Sequence, residues 1–302
     1  MRNQNPRRLF RSRVAIGLLL FTLCTPSLTL GWGAGGHMMV ASIAFRRLNP
    51  RAAAKANALL AIPINPAAVT AESRDFINAA HWADDLRPFA EFDHLKPFHF
   101  VDFPFSTDGT PVPAEALDPD NILKALEDNV NILKTSTDPH AQAQALRLII
   151  HFVGDIHQPL HCATRISSAN PTAEGDRGGN LVRLTVSGKQ TNLHSYWDNG
   201  INSFPKTGPN FAPPPLSEIP AAVQRARRGN PPTNPSIRLD QPTNFKLWAD
   251  ESFALAKSVA YRGITIGGTP NASYNRRALA VANQRVAWGG YRLAALLNSI
   301  WP

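Results

Sequence analysis

Cysteine is nearly absent from this chain of 302 residues: Cys24 and Cys162 are the only two. Acidic residues are missing altogether from the first 31 positions, where Arg2, Arg7, Arg8, Arg11 and Arg13 stand ahead of an apolar run at 14–23. That run is too short to cross a bilayer, which takes a helix of about 20 residues. Thr25-Pro26-Ser27 breaks it, and the small Gly31, with Thr29 two before it, suits cleavage ahead of Trp32. Residues 1–31 therefore read as an export signal. The 271 residues from 32 to 302 are enough for one domain with a sizeable core. Cys24 leaves with the leader, so the exported chain can form no internal disulfide and must rely on core burial or bound metal. Cys162 is then either buried and inert or a site of oxidation. The leader holds five of the 31 basic residues and none of the 22 acids, which leaves +4 rather than +9. An excess of that size is compatible with a polyanionic substrate without requiring one.

Repeats and a second domain are absent, and strand signals are sparse. Val182, Leu184 and Val186 alternate before Ser187-Gly188, the mark of a short hairpin arm. Helical periodicity fills most of the rest, at residues 37–48, 50–61, 72–85, 121–134, 141–156, 244–261 and 273–298. The expected fold is all-α, one globular domain of mainly long helices with a short β-hairpin. Residues 204–243, with Pro213-Pro214-Pro215 and Pro231-Pro232, read as a proline-rich surface excursion holding one helix at 217–228.

Nine histidines occur, several at informative spacings. A helix places His151 and Asp155 on one face, about 6 Å apart along its axis. Pro159 ends that helix, and His161 follows. His194 and Asp198 repeat the four-residue spacing. Either pair alone also fits an exposed hydrogen bond or ion pair, worth about 0.2–0.5 kcal/mol. His151 is different, because it lies between Leu148-Ile149-Ile150 and Phe152-Val153. An imidazole buried there without a partner costs about 1–3 kcal/mol. Paired imidazoles and carboxylates suit borderline metals that take mixed nitrogen and oxygen ligands. His37 follows the glycine-rich lead Trp32-Gly33-Ala34-Gly35-Gly36, and His99 lies in the apolar, extended run Pro97-Phe98-His99-Phe100-Val101-Asp102. His81 and Asp84 flank a helix end, whereas His94, His140 and His157 read as surface or supporting residues.

These runs, with Trp82-Ala83-Asp84, Gln158-Pro159-Leu160-His161, Asp176-Arg177-Gly178-Gly179-Asn180, Trp248-Ala249-Asp250-Glu251-Ser252 and Arg292-Leu293-Ala294, resemble the zinc-dependent single-strand nucleases of fungi and the bifunctional nucleases of plants. That family shares its fold with the bacterial zinc phospholipases C. The resemblance covers essentially all of residues 32–302, in order. It implies three zinc ions: one on Asp84, His99, His151 and Asp155, and a second on Asp155, His37 and the amino nitrogen and carbonyl oxygen of Trp32. The third would sit on His161, His194 and Asp198. It further implies Arg87 beside the metals, Asp102 orienting that arginine, Asn199 contacting substrate, and Phe100 offering a ring for a base. Only a free α-amine, with pKa near 7.7–8.0, serves as the Trp32 ligand, so leader cleavage would complete the site. The implied activity is hydrolysis of single-stranded DNA or RNA to 5′-phosphate products, with 3′-nucleotidase activity. The resemblance also implies a monomer without stable membrane association.

Two other readings remain open on sequence. A phospholipase C on the same scaffold would resemble His-x-x-x-Glu where His194 and Asp198 stand. A non-catalytic zinc-binding protein would close its sites with four protein ligands, often cysteines. His161, His194 and Asp198 supply three.

Overall fold

The computed structural model describes residues 31–65, 72–114, 117–208 and 212–302, so the expected export signal, apart from Gly31, lies outside the described residues. The first helix, α1 (Ala34–Phe45), begins and ends three residues before its expected bounds. Gly35 and Gly36 join it because the chain packs closely there. A β-carbon on Gly36 would lie 2.7 Å from the Trp32 side chain, and one on Gly35 2.1 Å from the Pro205 carbonyl. In α2 (Pro50–Leu60), Asn49 caps the start by accepting from the Ala52 amide, with proline at the first helical position.

Residues 72–85, expected as one helix, are broken. Two 3₁₀ turns, Glu72–Arg74 and Asn78–His81, precede the single turn α3 (Trp82–Asp85). The Asp75 carboxylate takes the amides of Ile77 and Asn78, offering the backbone an alternative to helical bonding. Likewise, His99 closes a 3₁₀ stretch, Ala90–His99, where an extended run was expected; the chain becomes extended only at Phe100.

The centre of the molecule is α5 (Pro139–Asp155), preceded by α4 (Ile122–Thr135). Every residue of α5 from Ala145 to Asp155 is buried. The last two long helices are α8 (Phe245–Leu255) and α9 (Ala272–Ile300). Helix α9 crosses α1 so closely that a β-carbon on Gly290 would lie 2.5 Å from Ile43. A short parallel pair, β1 (Pro104–Ser106) with β2 (Thr164–Ile166), had no signal in the sequence. The expected hairpin is present as β3 (Arg183–Val186) and β4 (Lys189–Asn192). Its two-residue turn, Ser187-Gly188, has positive φ at both positions, the backbone that a tight hairpin favours. It leads straight into α6 (Leu193–Asp198).

The described part of residues 204–243 is not simply a surface excursion. Its helix α7 (Ile219–Arg227) buries Ile219, Ala222, Val223 and Ala226, one stripe at helical spacing against α1 and α9. Phe204 and Ile237 are buried as well. The prolines break the segment into short pieces without keeping it off the core. Taken together, the architecture is the expected mainly helical single domain, with a second short strand pair beside the expected hairpin. No helix among the described residues is long and apolar enough to cross a membrane.

Candidate metal centre

Three groups of imidazoles and carboxylates converge at the C-terminal end of α5. His37, His151 and Asp155 form one; Asp84, His99 and His151 form another; His161, His194 and Asp198 form the third. Within each group the candidate ligand atoms lie within 4.8 Å of one another. His151 and Asp155 sit one turn apart on α5, as their spacing required. Asp155 is fully buried and faces both ways: Oδ2 lies 2.9 Å from His99 Nδ1 and 3.0 Å from His151 Nε2, while Oδ1 lies 3.2 Å from His37 Nε2. The His37 ring stacks on His151 at 4.0 Å between centroids.

Backbone carbonyls orient the rings. His151 Nδ1 donates to the Ala80 carbonyl at 2.7 Å, His161 Nδ1 to His99 at 2.7 Å, and His194 Nδ1 to Gly178 at 2.8 Å. That arrangement leaves Nε2 as the coordinating atom in each. The Nε2 atoms of His161 and His194 face each other at 3.1 Å. Gly178 holds its carbonyl toward His194 from a left-handed backbone, φ +61°, where a β-carbon would strike the Leu160 carbonyl at 2.5 Å.

Electrostatically the centre is under tension. Burial and the neighbouring His151 lower His37 to about 4, and burial lowers His99. Burial alone would lower His151 too, but Asp155 and Asp84 outweigh it and raise the imidazole to about 9. Burial opposes ionisation of Asp155, yet His151 and His161 hold it well below the usual carboxylate range. Burial pushes the Asp198 carboxyl well above that range.

A divalent cation fits these residues. His37 Nδ1 is buried with no hydrogen-bond partner among the described residues, while His37 Nε2, Asp84 Oδ1 and Asp155 Oδ1 are buried with ion-pair contacts only, to one another and to Arg87. A buried polar atom left in this state costs about 1–3 kcal/mol unless something satisfies it. Coordination would do so, and the all nitrogen-and-oxygen donor set suits a borderline metal rather than magnesium or calcium.

Trp32 is buried, its ring 5.5 Å from Phe204, and the Gly33 amide donates to the Asp198 carbonyl. The backbone just before it runs over the centre: a β-carbon on Gly31 would lie 1.7 Å from Asp155 Oδ1 and 2.8 Å from His37 Nε2. Arg87 is also at the centre, but its partner differs from expectation. Its Nη2 lies 2.7 Å from Asp84 Oδ1, and no ion pair joins it to Asp102 among the described residues. Burial and the charges of Asp176 and Glu174 raise the Asp102 carboxyl to about 7. Asp102 and Phe100 instead line an open cavity of about 540 Å³ with Asn121 and Glu174. Asn199 caps α6, its side chain donating to the Ser195 carbonyl at 2.8 Å.

Four residues that the sequence reading left without a role hold the back of the centre. His157 is fully buried, so of its two expected places it takes the supporting one, donating from Nδ1 to Val153 and meeting Arg292 at Nε2. Arg285 donates to the His157 carbonyl, and both arginines bind Glu251. The signals for them were charge inside the apolar stripe of the last helix, at Arg285 and Arg292, and the runs that carry Glu251 and Arg292 in the family resemblance. Cys162 is buried, and burial pushes its thiol up, which makes it inert. His94 and His140 are exposed, as expected.

A mainly helical domain whose histidines and aspartates gather into three such groups has the donor set of a metal-binding protein. The chain belongs to the S1/P1 nuclease family, whose sequence profile matches residues 32–302. It is similar to Endonuclease 4 of Arabidopsis thaliana, 29% identical with 90% of each chain covered. Nuclease S1 of Aspergillus oryzae is 26% identical, with 92% of this chain and 95% of its own covered. Nuclease P1 of Penicillium citrinum is 27% identical, with 89% and 97% covered. Membership makes the chain a nuclease, acting on nucleic acid.

Proposed function

We propose that the mature chain is an exported, monomeric, tri-zinc phosphodiesterase that hydrolyses single-stranded DNA or RNA to 5′-phosphate products and removes 3′-phosphates from nucleotides. The observation that carries this reading is the convergence of three buried ligand groups on one helix end in a chain of this family. Asp84, His99, His151 and Asp155 would hold one ion. Asp155, His37 and the Trp32 amine and carbonyl would hold the second; His161, His194 and Asp198 the third. The backbone of Gly31 lying against Asp155 and His37 supports the Trp32 assignment, since cleavage there exposes the amine at the same place. When bound, the ions supply an acidified water as nucleophile and Lewis acids for the phosphate oxygens.

The chain's own residues do the rest. Asp155 offers one carboxylate oxygen to each of two groups, so its loss disrupts both. Arg87 presents a planar fork for the phosphoryl oxygens as charge builds on them, and Asp84 fixes that fork. The third group has three protein ligands, which leaves a coordination position for substrate. Phe100 stacks a base, worth about 1–3 kcal/mol for any sequence, and a duplex must first give up its own stacking to use it. Asp102 opens on the same cavity as Phe100. Asn199 lies beside Gly33, where substrate would pass the amino terminus.

The test is purification of the exported protein with amino-terminal sequencing, elemental analysis, and assays on denatured DNA, 3′-nucleotides and phosphatidylcholine. The expected result is an amino-terminal Trp32, three zinc ions per chain, and hydrolysis of the first two substrates that chelation abolishes. Asp155→Ala should then lose both activity and zinc. Undiminished activity after exhaustive chelation, or cleavage of the lipid alone, overturns the reading.

A further inference from the structure

Gln158 belongs to the run Gln158-Pro159-Leu160-His161, yet none of the roles above uses it. Its side chain is fully buried, and the residue bonds to both Asp155 and Asp198, which belong to different groups of the centre. Its peptide amide donates to the Asp155 carbonyl at 2.8 Å. Its side-chain Nε2 donates to Asp198 Oδ1 at 2.7 Å, and its Oε1 accepts from the Leu160 amide at 2.6 Å. The Leu160 amide can only donate, so it forces the oxygen of the side-chain amide toward itself and the NH₂ toward Asp198.

We infer that Gln158 is a positioning residue for the third metal group, which it serves by fixing the orientation of the Asp198 carboxylate. This rests on the tri-metal reading above. A carboxylate with both oxygens available can rotate between one-oxygen and two-oxygen binding. The hydrogen bond to Oδ1, the oxygen that lies 3.7 Å from His194 Nε2, restrains that rotation. It also supports the ionised form of a carboxylate that burial otherwise disfavours. The two halves of the centre are thereby tied through one residue. The turn that begins at the Asp155 carbonyl places the amide that aims Asp198, and the same turn carries His161 into the third group. Outer partners of this kind change metal affinity by about 10–100-fold when removed.

Gln158→Glu separates this role from a merely structural one. Glutamate keeps the shape and the acceptor for the Leu160 amide, and so keeps the turn, but it cannot donate to Asp198 and turns a second carboxylate on it. Gln158→Met serves as the uncharged second variant. Wild type and both variants are dialysed against a zinc buffer, counted for zinc, and titrated with a chromogenic chelator; metal-free samples are melted in parallel. Wild type should hold three zinc ions. The variants should hold two with unchanged affinity, and the third about 10–100-fold more weakly. Their 3′-nucleotide turnover should recover at high zinc, and at least one metal-free variant should melt as wild type does. Three ions held by both variants with wild-type affinity overturn the inference while leaving the tri-zinc reading intact. A wild type that holds fewer than three ions overturns the tri-zinc reading, and this inference falls with it.

Discussion

At the scale of single residues, the centre depends on side chains that are absent as much as on those present. Gly154, between His151 and Asp155 on α5, faces the His37 ring. A β-carbon there would lie 2.5 Å from Nδ1 and 2.9 Å from Cε1. The ring cannot retreat, because its other face is stacked on His151. Gly154→Ala should therefore shift His37 and lower kcat/KM on single-stranded DNA by about 100-fold, the cost of a misplacement near 1 Å. Circular dichroism should find the helices unchanged, since alanine favours a helix over glycine. Wild-type turnover in that variant would show that His37 tolerates displacement. The ligand candidates were legible in the sequence because helical spacing puts His151 beside Asp155 and His194 beside Asp198. The reason for Gly154 was not legible. It lies in a ring 117 positions earlier in the chain, which only the packed structure brings opposite.

At the scale of elements, α8, α9 and the end of α5 are braced by charge. Glu251 on α8 accepts from Arg285 at 2.7 Å and from Arg292 at 2.6 and 2.8 Å, both on α9, while Arg285 reaches the carbonyl of His157. Ser252 takes the carbonyl of Ile156 at 2.6 Å. Burial opposes ionisation of Glu251, but the hydrogen bond from Arg292 and the charge of Arg285 hold it below the ordinary glutamate range. A carboxyl depressed in this way stabilises the fold above its unfolded pKa of about 4.3, and that support is lost as pH falls through the folded value. Glu251→Gln should cost about 2 kcal/mol at pH 7, less than a wholly buried pair because Glu251 is partly exposed. Denaturant unfolding at pH 7 and pH 3 checks this, and the gap between variant and wild type should narrow at the lower pH. An equal gap at both would sink the assignment. Most helices could be read from periodicity, and so could the hairpin from Ser187-Gly188. The breaks at 72–85 could not, because Asp75 competes with the backbone by a local hydrogen bond that leaves no trace in apolar spacing. The buried stripe of α7 was masked by the prolines around it.

For the molecule as a whole, the candidate ligands run from Trp32 to Asp198 and close long stretches of chain around one point, in a protein whose only described cysteine is free. Ions that bind only the folded chain stabilise it by about 2.7 kcal/mol per site at a hundredfold excess over the dissociation constant. At about 2–4 °C per kcal/mol for a domain of this size, removing three should lower the melting temperature by more than 10 °C. Calorimetry with and without chelator measures it, and a shift of a degree or two would mean that the centre is preformed without metal. The long final helix adds a constraint of timing. Every candidate ligand leaves the ribosome before residues 272–300 do, yet Arg285 and Arg292 hold the wall against which those ligands are set. A chain ending at residue 270 would carry the whole ligand set and the carbonyls that orient its rings, but not the arginines that brace the end of α5, so the back wall of the pocket is supplied last in the sequence.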